Sequence, residues 1–190
     1  MDSNRDRCAW VPQHKPLYVK YHDEEWGVPV RDDKKMFEFL VLESFQAGLS
    51  WEIVLNKRDN FRQAFSLFDY RKIAGYDEAK VQELLKDKGI IRNQLKIRAT
   101  TNNAQRYLEV IEEFGSFCSY FWGFVNNEPI VNTFKVMEEI PASTELSDTI
   151  AKDMKQRGFK FLGTTVIYAH MQAVGMVNDH EVSCFRYGQV

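Results

Sequence analysis

At 190 residues, with 44% hydrophobic and 27% charged residues, the chain has the length and composition of one globular domain, or one domain of two lobes around a cleft, with a sizeable core. A formal charge of −2 excludes a uniformly basic surface, so nucleic-acid binding needs a local basic face. No apolar run reaches the length of a membrane span, and three cysteines, an odd count, argue against a disulfide framework and for a reducing cytoplasm.

The opening Met1-Asp2-Ser3-Asn4-Arg5-Asp6-Arg7 is charged and lacks the apolar core of an export signal. Cys8-Ala9-Trp10-Val11 begins the ordered part, and a loop from Pro12 to Pro16 follows. Leu17 to Trp26 reads as a short helix carrying Tyr18, Tyr21, His22 and Trp26, ended by Gly27-Val28-Pro29. Asp32 or Asp33 caps a helix from Lys34 to Ala47, which Gly48 stops. Short helical pieces are expected at Glu52 to Leu55, Phe61 to Phe68 and Lys72 to Ala74. Asp77 caps a helix reaching Asp87, with Gly89 as its stop, and Leu84 to Ile91 reads as a helix–turn in a second lobe. The longest helix spans Arg92 to Glu113, with Ile97, Ala104, Tyr107, Leu108 and Ile111 on its apolar side. An aromatic segment from Phe117 to Val125, the turn Asn126-Asn127-Glu128-Pro129 and a connector from Thr133 to Pro141 lead to a helix capped by Ser143 or Thr144. Helical periodicity dominates, strand alternation never lasts beyond a few residues, and no short repeat or low-complexity segment is present. The expected fold class is all-α.

Leu146 to Arg157 and Thr164 to Met176 both repeat apolar residues at helical spacing, and two glycines, Gly158 and Gly163, close the turn between them. Both suit a tight hairpin because glycine takes positive φ without steric cost. Such a turn presents backbone N–H groups at the start of the second helix, an anion site to which Thr164 and Thr165 add hydroxyls and Lys160 adds charge. The glycines alone favour an ordinary helical hairpin packed in a core. Basic residues gather there (Lys152, Lys155, Arg157, Lys160) and in a second cluster (Lys86, Lys88, Arg92, Lys96, Arg98). Either cluster also fits a solvated helix face.

Two further patterns point to chemistry. Met36, Phe39, Leu40, Glu43 and Ala47 share one helix face, and a carboxylate on an apolar stripe needs a partner or a task. The alternative is a Glu at the edge of the stripe, reaching water or a basic side chain. His180 and Cys184 lie four apart, on one face of a continuing helix, and imidazole and thiolate both suit tetrahedral zinc, although the pair alone is a weak signal. Cys118 sits among aromatic neighbours and reads as buried; His14 and His170 have no partner pattern.

Gly158-Phe159-Lys160-Phe161-Leu162-Gly163-Thr164-Thr165, a helix, and then Val177-Asn178-Asp179-His180 resembles the hairpin of helix-hairpin-helix DNA glycosylases, and most closely the 3-methyladenine DNA glycosylase I (Tag) family. The resemblance runs from Cys8 to about Cys184. It implies a single two-lobed, all-α helical bundle over residues 1–190, with the DNA-binding hairpin at about 146–176 and a zinc staple joining 8–22 to 180–184. The implied activity is that of a monofunctional glycosylase that flips N3-methyladenine out of duplex DNA and hydrolyses its N-glycosidic bond, starting base excision repair. Alkylated double-stranded DNA is then the partner and free 3-methyladenine the product; the protein is expected to be a monomer of the bacterial cytoplasm with no membrane contact.

The resemblance also assigns residues. In Leu42-Glu43-Ser44-Phe45-Gln46-Ala47-Gly48-Leu49-Ser50-Trp51, Glu43 falls where the family hydrogen-bonds the flipped base and Trp51 where it stacks on it. Tyr21 matches a pocket hydroxyl and joins Glu43 as a catalytic candidate, with Trp10 and Tyr18 as weaker pocket members. Gly48-Leu49 is the implied wedge that fills the gap in the duplex, beside a Phe45 bulkier and less polar than the motif leads one to expect. Gly158, Lys160, Gly163, Thr164 and Thr165 are the implied hairpin contacts to DNA. The family's Cys near the N-terminus and His after the Tyr-rich helix fall at Cys8 and His22, which with His180 and Cys184 make a closed four-ligand site for one structural zinc per chain.

Where many helix-hairpin-helix glycosylases carry a catalytic Asp, this chain has Asn178, with Asp179 one step later. Asn178-x-x-Glu181 also resembles a capping pair for a helix bearing His180, and that capping role is the favoured reading of Asn178. Lyase-active relatives carry a Schiff-base Lys two residues after the second hairpin glycine, and that position is Thr165 here. Two other readings are a zinc-stapled DNA-binding module without chemistry and a protein-interaction scaffold. The Glu43, Trp51 and Tyr21 set separates the leading reading from a pure binder, which needs no carboxylate in an aromatic pocket.

Overall fold

Short polar side chains set the helix starts. In the computed structural model, which describes residues 5–190 and leaves the first four residues of the charged opening outside it, Asp32 Oδ1 accepts from Lys35 N at 2.8 Å and starts α2 (Asp33–Gln46). Asp33 does a different job: its carboxylate accepts from the backbone N–H groups of Phe117 and Cys118 and so fixes the start of α7 (Phe117–Gly123). Asp77 caps α5 (Glu78–Lys86), Asn93 caps α6 (Gln94–Phe114), and Thr144 forms a capping box with Ser147 at α8 (Glu145–Gln156). Pro16 begins α1 (Pro16–Glu24), where its missing N–H costs nothing. The remaining helices are α3 (Trp51–Ala64), α4 (Tyr70–Ile73) and α9 (Thr164–Ala173). Among the described residues the extended pairing is one two-residue parallel bridge, β1 (Ile130–Val131) with β2 (Val177–Asn178), so the all-α class holds.

Three local expectations need correction. The pieces expected at Glu52 to Leu55 and Phe61 to Phe68 belong to one helix, α3, which stops at Ala64. Ser66, Leu67 and Phe68 then take φ of 51–56°, a left-handed turn that leaves Leu67 exposed while Phe65 and Phe68 stay in the core, their rings parallel within 2°. The first helix ends at Glu24, short of Trp26. No helix carries His180: residues 179–190 form turns behind β2. Asn178 therefore caps nothing. Its Oδ1 accepts from His180 N and its Nδ2 donates to the Tyr187 carbonyl, tying down the tail.

Helix α2 runs through the middle of the core, packing against α3, α6, α7 and α9. Every residue from Met36 to Phe45 is buried, as expected of a helix apolar around its whole circumference. That wrapping makes the two carboxylates on it, Glu38 and Glu43, conspicuous. The α8–α9 hairpin packs on α2 through α9, and the backbone of its turn is gripped from α6: Asn103 donates to and accepts from Lys160, and Asn102 donates to the Gly158 carbonyl. Gly175, at φ 69°, lets the end of α9 press against the 27–29 loop; a Cβ there would sit 2.5 Å from Pro29 N.

Candidate active site and metal centre

Four helices, the chain on either side of α1 and one connector build a cavity of about 290 Å³. Tyr18 and Tyr21 come from α1, Glu43 and Gln46 from α2, Trp51 from the first turn of α3, and Trp10 and Trp26 from the chain before and after α1. All five sequence-derived pocket residues line this one space. Tyr21 and Trp51 sit ring to ring, centroids 5.1 Å apart, and Trp10 lies edge-on to Trp26 and Tyr18. The other wall consists of residues the sequence did not suggest: Met137 and Ile140 from the 133–141 connector, and Ala169 and Gln172 from α9. The connector gives no periodicity to read, and the α9 residues reach the pocket through helix packing.

Glu43 is 5% exposed, and its carboxylate makes no hydrogen bond to any described residue. Burial pushes its pKa up to about 8, against a weaker opposing pull from Arg58. The Tyr21 phenol is likewise driven well above its ordinary value, first by burial and then by Glu43, so it stays neutral. The indole N–H groups of Trp10 and Trp51 are buried without an acceptor among the described residues. The cavity thus pairs an unsatisfied carboxylate with unsatisfied donors and aromatic faces, an arrangement that is costly unless something polar enters it.

Behind the pocket lies an ionic node. Arg58, 6% exposed, donates to both oxygens of Glu25 at 2.8 Å and to Glu38 at 2.7 Å. Burial raises Glu25, but hydrogen bonds from Arg58 and Lys35 outweigh it and hold that carboxyl at about 2. Glu25 follows α1, Glu38 is in α2 and Arg58 in α3, so one guanidinium locks together the helices that supply Tyr21, Glu43 and Trp51.

Past Ala47 the chain turns at Gly48, φ 84°, into an exposed Leu49. Phe45 points the other way, fully buried against Phe61 and Phe65, so its bulk belongs to the core and leaves the turn free. At the hairpin, Gly158 takes φ 90°, but Gly163 sits at an ordinary φ of −72°, against expectation; the left-handed residue is Phe161, φ 58°. Gly163 serves instead by leaving space, since a Cβ there meets nothing within 4 Å. No side chain caps the first turn of α9. Thr164 Oγ1 is hydrogen-bonded to Ser147 Oγ at 2.7 Å, whereas Thr165 and Lys160 are exposed. Of the two basic clusters, Arg157 pairs with Glu113 and Asp153, Arg98 pairs with Glu78, and Lys96 is buried.

Cys8, His22, His180 and Cys184 converge, all buried, with their candidate ligand atoms within 4.8 Å of one another. Cys8 Sγ lies 3.4 Å from His180 Nδ1, and Cys184 Sγ lies 3.4 Å from His22 Nε2 and 3.5 Å from His180 Nδ1. Ligands at zinc distances of about 2.3 Å for sulfur and 2.0–2.1 Å for nitrogen, arranged tetrahedrally, stand about 3.6 Å apart, so the spacing fits a metal ion. The outward ring nitrogens are engaged too: His22 Nδ1 faces Asp23 Oδ1 at 2.8 Å, and His180 Nε2 faces the Trp26 carbonyl at 3.1 Å. Those contacts leave the inward nitrogens as acceptors. Asp23 is in turn held by Arg7. A turn, not a helix, brings His180 and Cys184 to the same side, with Cys184 N donating to the Glu181 carbonyl. Cys118 is buried in α7 as expected, and the structure forms no disulfide among its three cysteines. His170, also buried, has neither ring nitrogen partnered among the described residues, and burial lowers it to about 3.

Asp179 stands one layer behind the pocket. Tyr168 Oη and Gln172 Nε2 donate to its Oδ2, and Asn132 Nδ2 donates to its Oδ1. It therefore orients Gln172 at the pocket wall.

A family profile described as methyladenine glycosylase matches residues 10–187. The chain is 50% identical over 182 residues to the DNA-3-methyladenine glycosylase 1 of Escherichia coli (strain K12), covering 96% of this chain and 97% of the relative. It superposes on a crystal structure of a 3-methyladenine DNA glycosylase I (TAG) with a TM-score of 0.91 at 48% identity, covering 95% of this chain and 98% of that one. For the Staphylococcus aureus 3-methyladenine DNA glycosylase I, whose structure concerns 3-methyladenine recognition, the TM-score is 0.88 at 33% identity, with 90% and 92% covered.

Proposed function

The chain belongs to the methyladenine glycosylase family, and from that premise we propose that it removes N3-methyladenine from duplex DNA by hydrolysing the N-glycosidic bond, the first step of base excision repair. The observation that carries this reading is Glu43, a buried carboxylate in an aromatic cavity with no hydrogen-bond partner among the described residues. An adenine methylated at N3 is cationic on the sugar and leaves as a neutral base, so the leaving group needs no protonation. Ionised Glu43 attracts that cation and accepts hydrogen bonds from it. The positive base offsets the burial that keeps Glu43 high, so the carboxylate ionises as the base enters. Trp51 stacks on the base and adds a cation–π attraction of ~0.5–2 kcal/mol. Tyr21 supplies its neutral hydroxyl, and Trp10 and Tyr18 complete the wall. Flipping costs a few kcal/mol, which the Gly48-Leu49 wedge helps to offset by filling the gap.

The hairpin grips the phosphate backbone. The uncapped N–H groups at the start of α9 point to an anion, the open space at Gly163 admits one, and Lys160 and Thr165 are exposed beside it. Thr164 contributes its backbone N–H, since its hydroxyl is occupied by Ser147. With Thr165 at the lyase position, the product is an abasic site in an uncut strand. Cys8, His22, His180 and Cys184 hold one structural zinc, which cross-links the two ends of the chain and steadies Trp26 through His180. The protein acts as a single two-lobed, monomeric domain. No helix of the described residues is long and apolar enough to cross a membrane.

The test is incubation with alkylated duplex DNA followed by chromatography of the released bases. The expected product is 3-methyladenine, with strands that break at the lesion only after alkali and no borohydride-trapped adduct. A folded protein that releases no base contradicts the assignment, and a trapped adduct overturns the monofunctional part of it.

A further inference from the structure

Lys96 is the member of the two basic clusters that the fold turns inward. It is 7% exposed and has no acidic partner among the described residues. Asn93 Oδ1 accepts from Lys96 N at 3.1 Å, which places the side chain in the first turn of α6. A cation there opposes the helix dipole, and burial lowers its pKa, so its own helix gives no reason for it. The reason lies across the gap. Lys96 Nζ donates to the carbonyls of Phe45 at 3.0 Å and Ala47 at 2.7 Å, at the C-terminal end of α2. Those carbonyls lack helical partners because Ala47 (φ −48°, ψ 115°) leaves the helix and Leu49 N turns back to the Gln46 carbonyl. The following residues are Gly48 and Leu49, an exposed turn, and Gln46 Nε2 fastens its far side at the Leu49 carbonyl.

We propose that Lys96 is a positioning residue for base flipping: its ammonium, bound to the Phe45 and Ala47 carbonyls, holds the Gly48-Leu49 turn in the shape that enters the duplex. This inference rests on the wedge reading of Leu49. Loss of the ammonium leaves two carbonyls unsatisfied at the base of the turn, which relaxes and withdraws Leu49 from the stack. Lys96 does not line the base pocket, and Tyr21 and Glu43 stand on α1 and in α2 ahead of the turn. The cost therefore falls on opening a paired lesion and spares recognition of a base that is already free.

Single-turnover excision on a duplex with one N3-methyladenine tests this with Lys96→Met, Leu49→Ala, the double variant and Lys96→Arg, alongside dialysis binding of free 3-methyladenine. Lys96→Met and Leu49→Ala should each slow excision from a paired lesion by about 10-fold, the size expected for one charge-assisted hydrogen-bonded cap. The double variant should be no slower than the slower single one. Placing the lesion opposite an abasic site should restore most of the rate, Lys96→Arg should retain most of it, and free-base affinity should not change. Normal excision by Lys96→Met, multiplicative losses in the double variant, or a parallel loss of free-base affinity overturns the proposal. A Leu49→Ala variant that excises normally refutes the wedge reading itself. If Lys96→Met fails to fold, the decision passes to Lys96→Arg, and a loss there that the unpaired lesion does not restore counts against the proposal.

Discussion

Glu43→Gln should make the protein more stable while making it a worse enzyme, and pH controls the size of the gain. The neutral amide keeps the shape of the side chain and removes the charge that the cavity penalises. Raising a carboxyl from 4.5 to about 8 corresponds, at about 1.4 kcal/mol per pKa unit, to roughly 4–5 kcal/mol of stability lost once the group must ionise. Because the cavity opens to water, about 2 kcal/mol is the expected effect. The sign follows from proton binding: between pH 4.5 and about 8 the folded chain holds a proton on Glu43 that the unfolded chain has released, so this group's contribution falls as pH rises. The advantage of the glutamine variant should therefore be small near pH 5, grow through neutrality and level off above about pH 8. Urea unfolding of both proteins across that range measures it. Parallel stability curves would refute the claim that Glu43 is buried without a partner.

Arg58→Met should cost about 3–5 kcal/mol, because it leaves the Glu25 and Glu38 carboxylates without their shared guanidinium; an unchanged urea midpoint contradicts this. Protein purified without added metal should contain about one equivalent of zinc, and Cys184→Ser should lose metal and melt at lower temperature while any folded fraction still excises base. Metal-free protein of normal stability removes the staple from the account. Gly163→Asp should raise stability by a few tenths of a kcal/mol by capping α9, yet weaken duplex binding more than about 10-fold at every sequence, since the new carboxylate occupies the N–H groups meant for phosphate. Unweakened duplex affinity takes the hairpin out of the interface.

Local features of the chain were readable where they obey local rules. Asp77 caps its helix as expected, and the cap left open between Ser143 and Thr144 falls to Thr144. Glu43 could be singled out because a helix face is periodic, so a carboxylate interrupting it is visible without any tertiary information. The Glu25–Arg58–Glu38 node was not legible, because its members lie 13–33 residues apart on helices whose packing no local pattern specifies. Met137 and Ile140 were hidden for a related reason: an irregular connector gains a role only when α9 and α2 place it over a cavity. In the sequence Lys96 is one more member of a basic cluster, because charge runs carry no sign of direction. The four-residue spacing of His180 and Cys184 suits a tight turn as well as a helix, so the ligand set could be right while the local structure was wrong.

The account stands most directly on the rate of base release by Glu43→Gln from a duplex carrying one N3-methyladenine, under single turnover and with circular dichroism to confirm folding. The variant should bind undamaged duplex almost normally, because phosphate contacts dominate that affinity. It should release 3-methyladenine about 10- to 100-fold more slowly, a loss of ~1.4–2.7 kcal/mol of transition-state stabilisation, and Trp51→Ala should lose at least as much. A folded Glu43→Gln protein that releases the base at the parent rate would show that the buried carboxylate is not what reads the lesion.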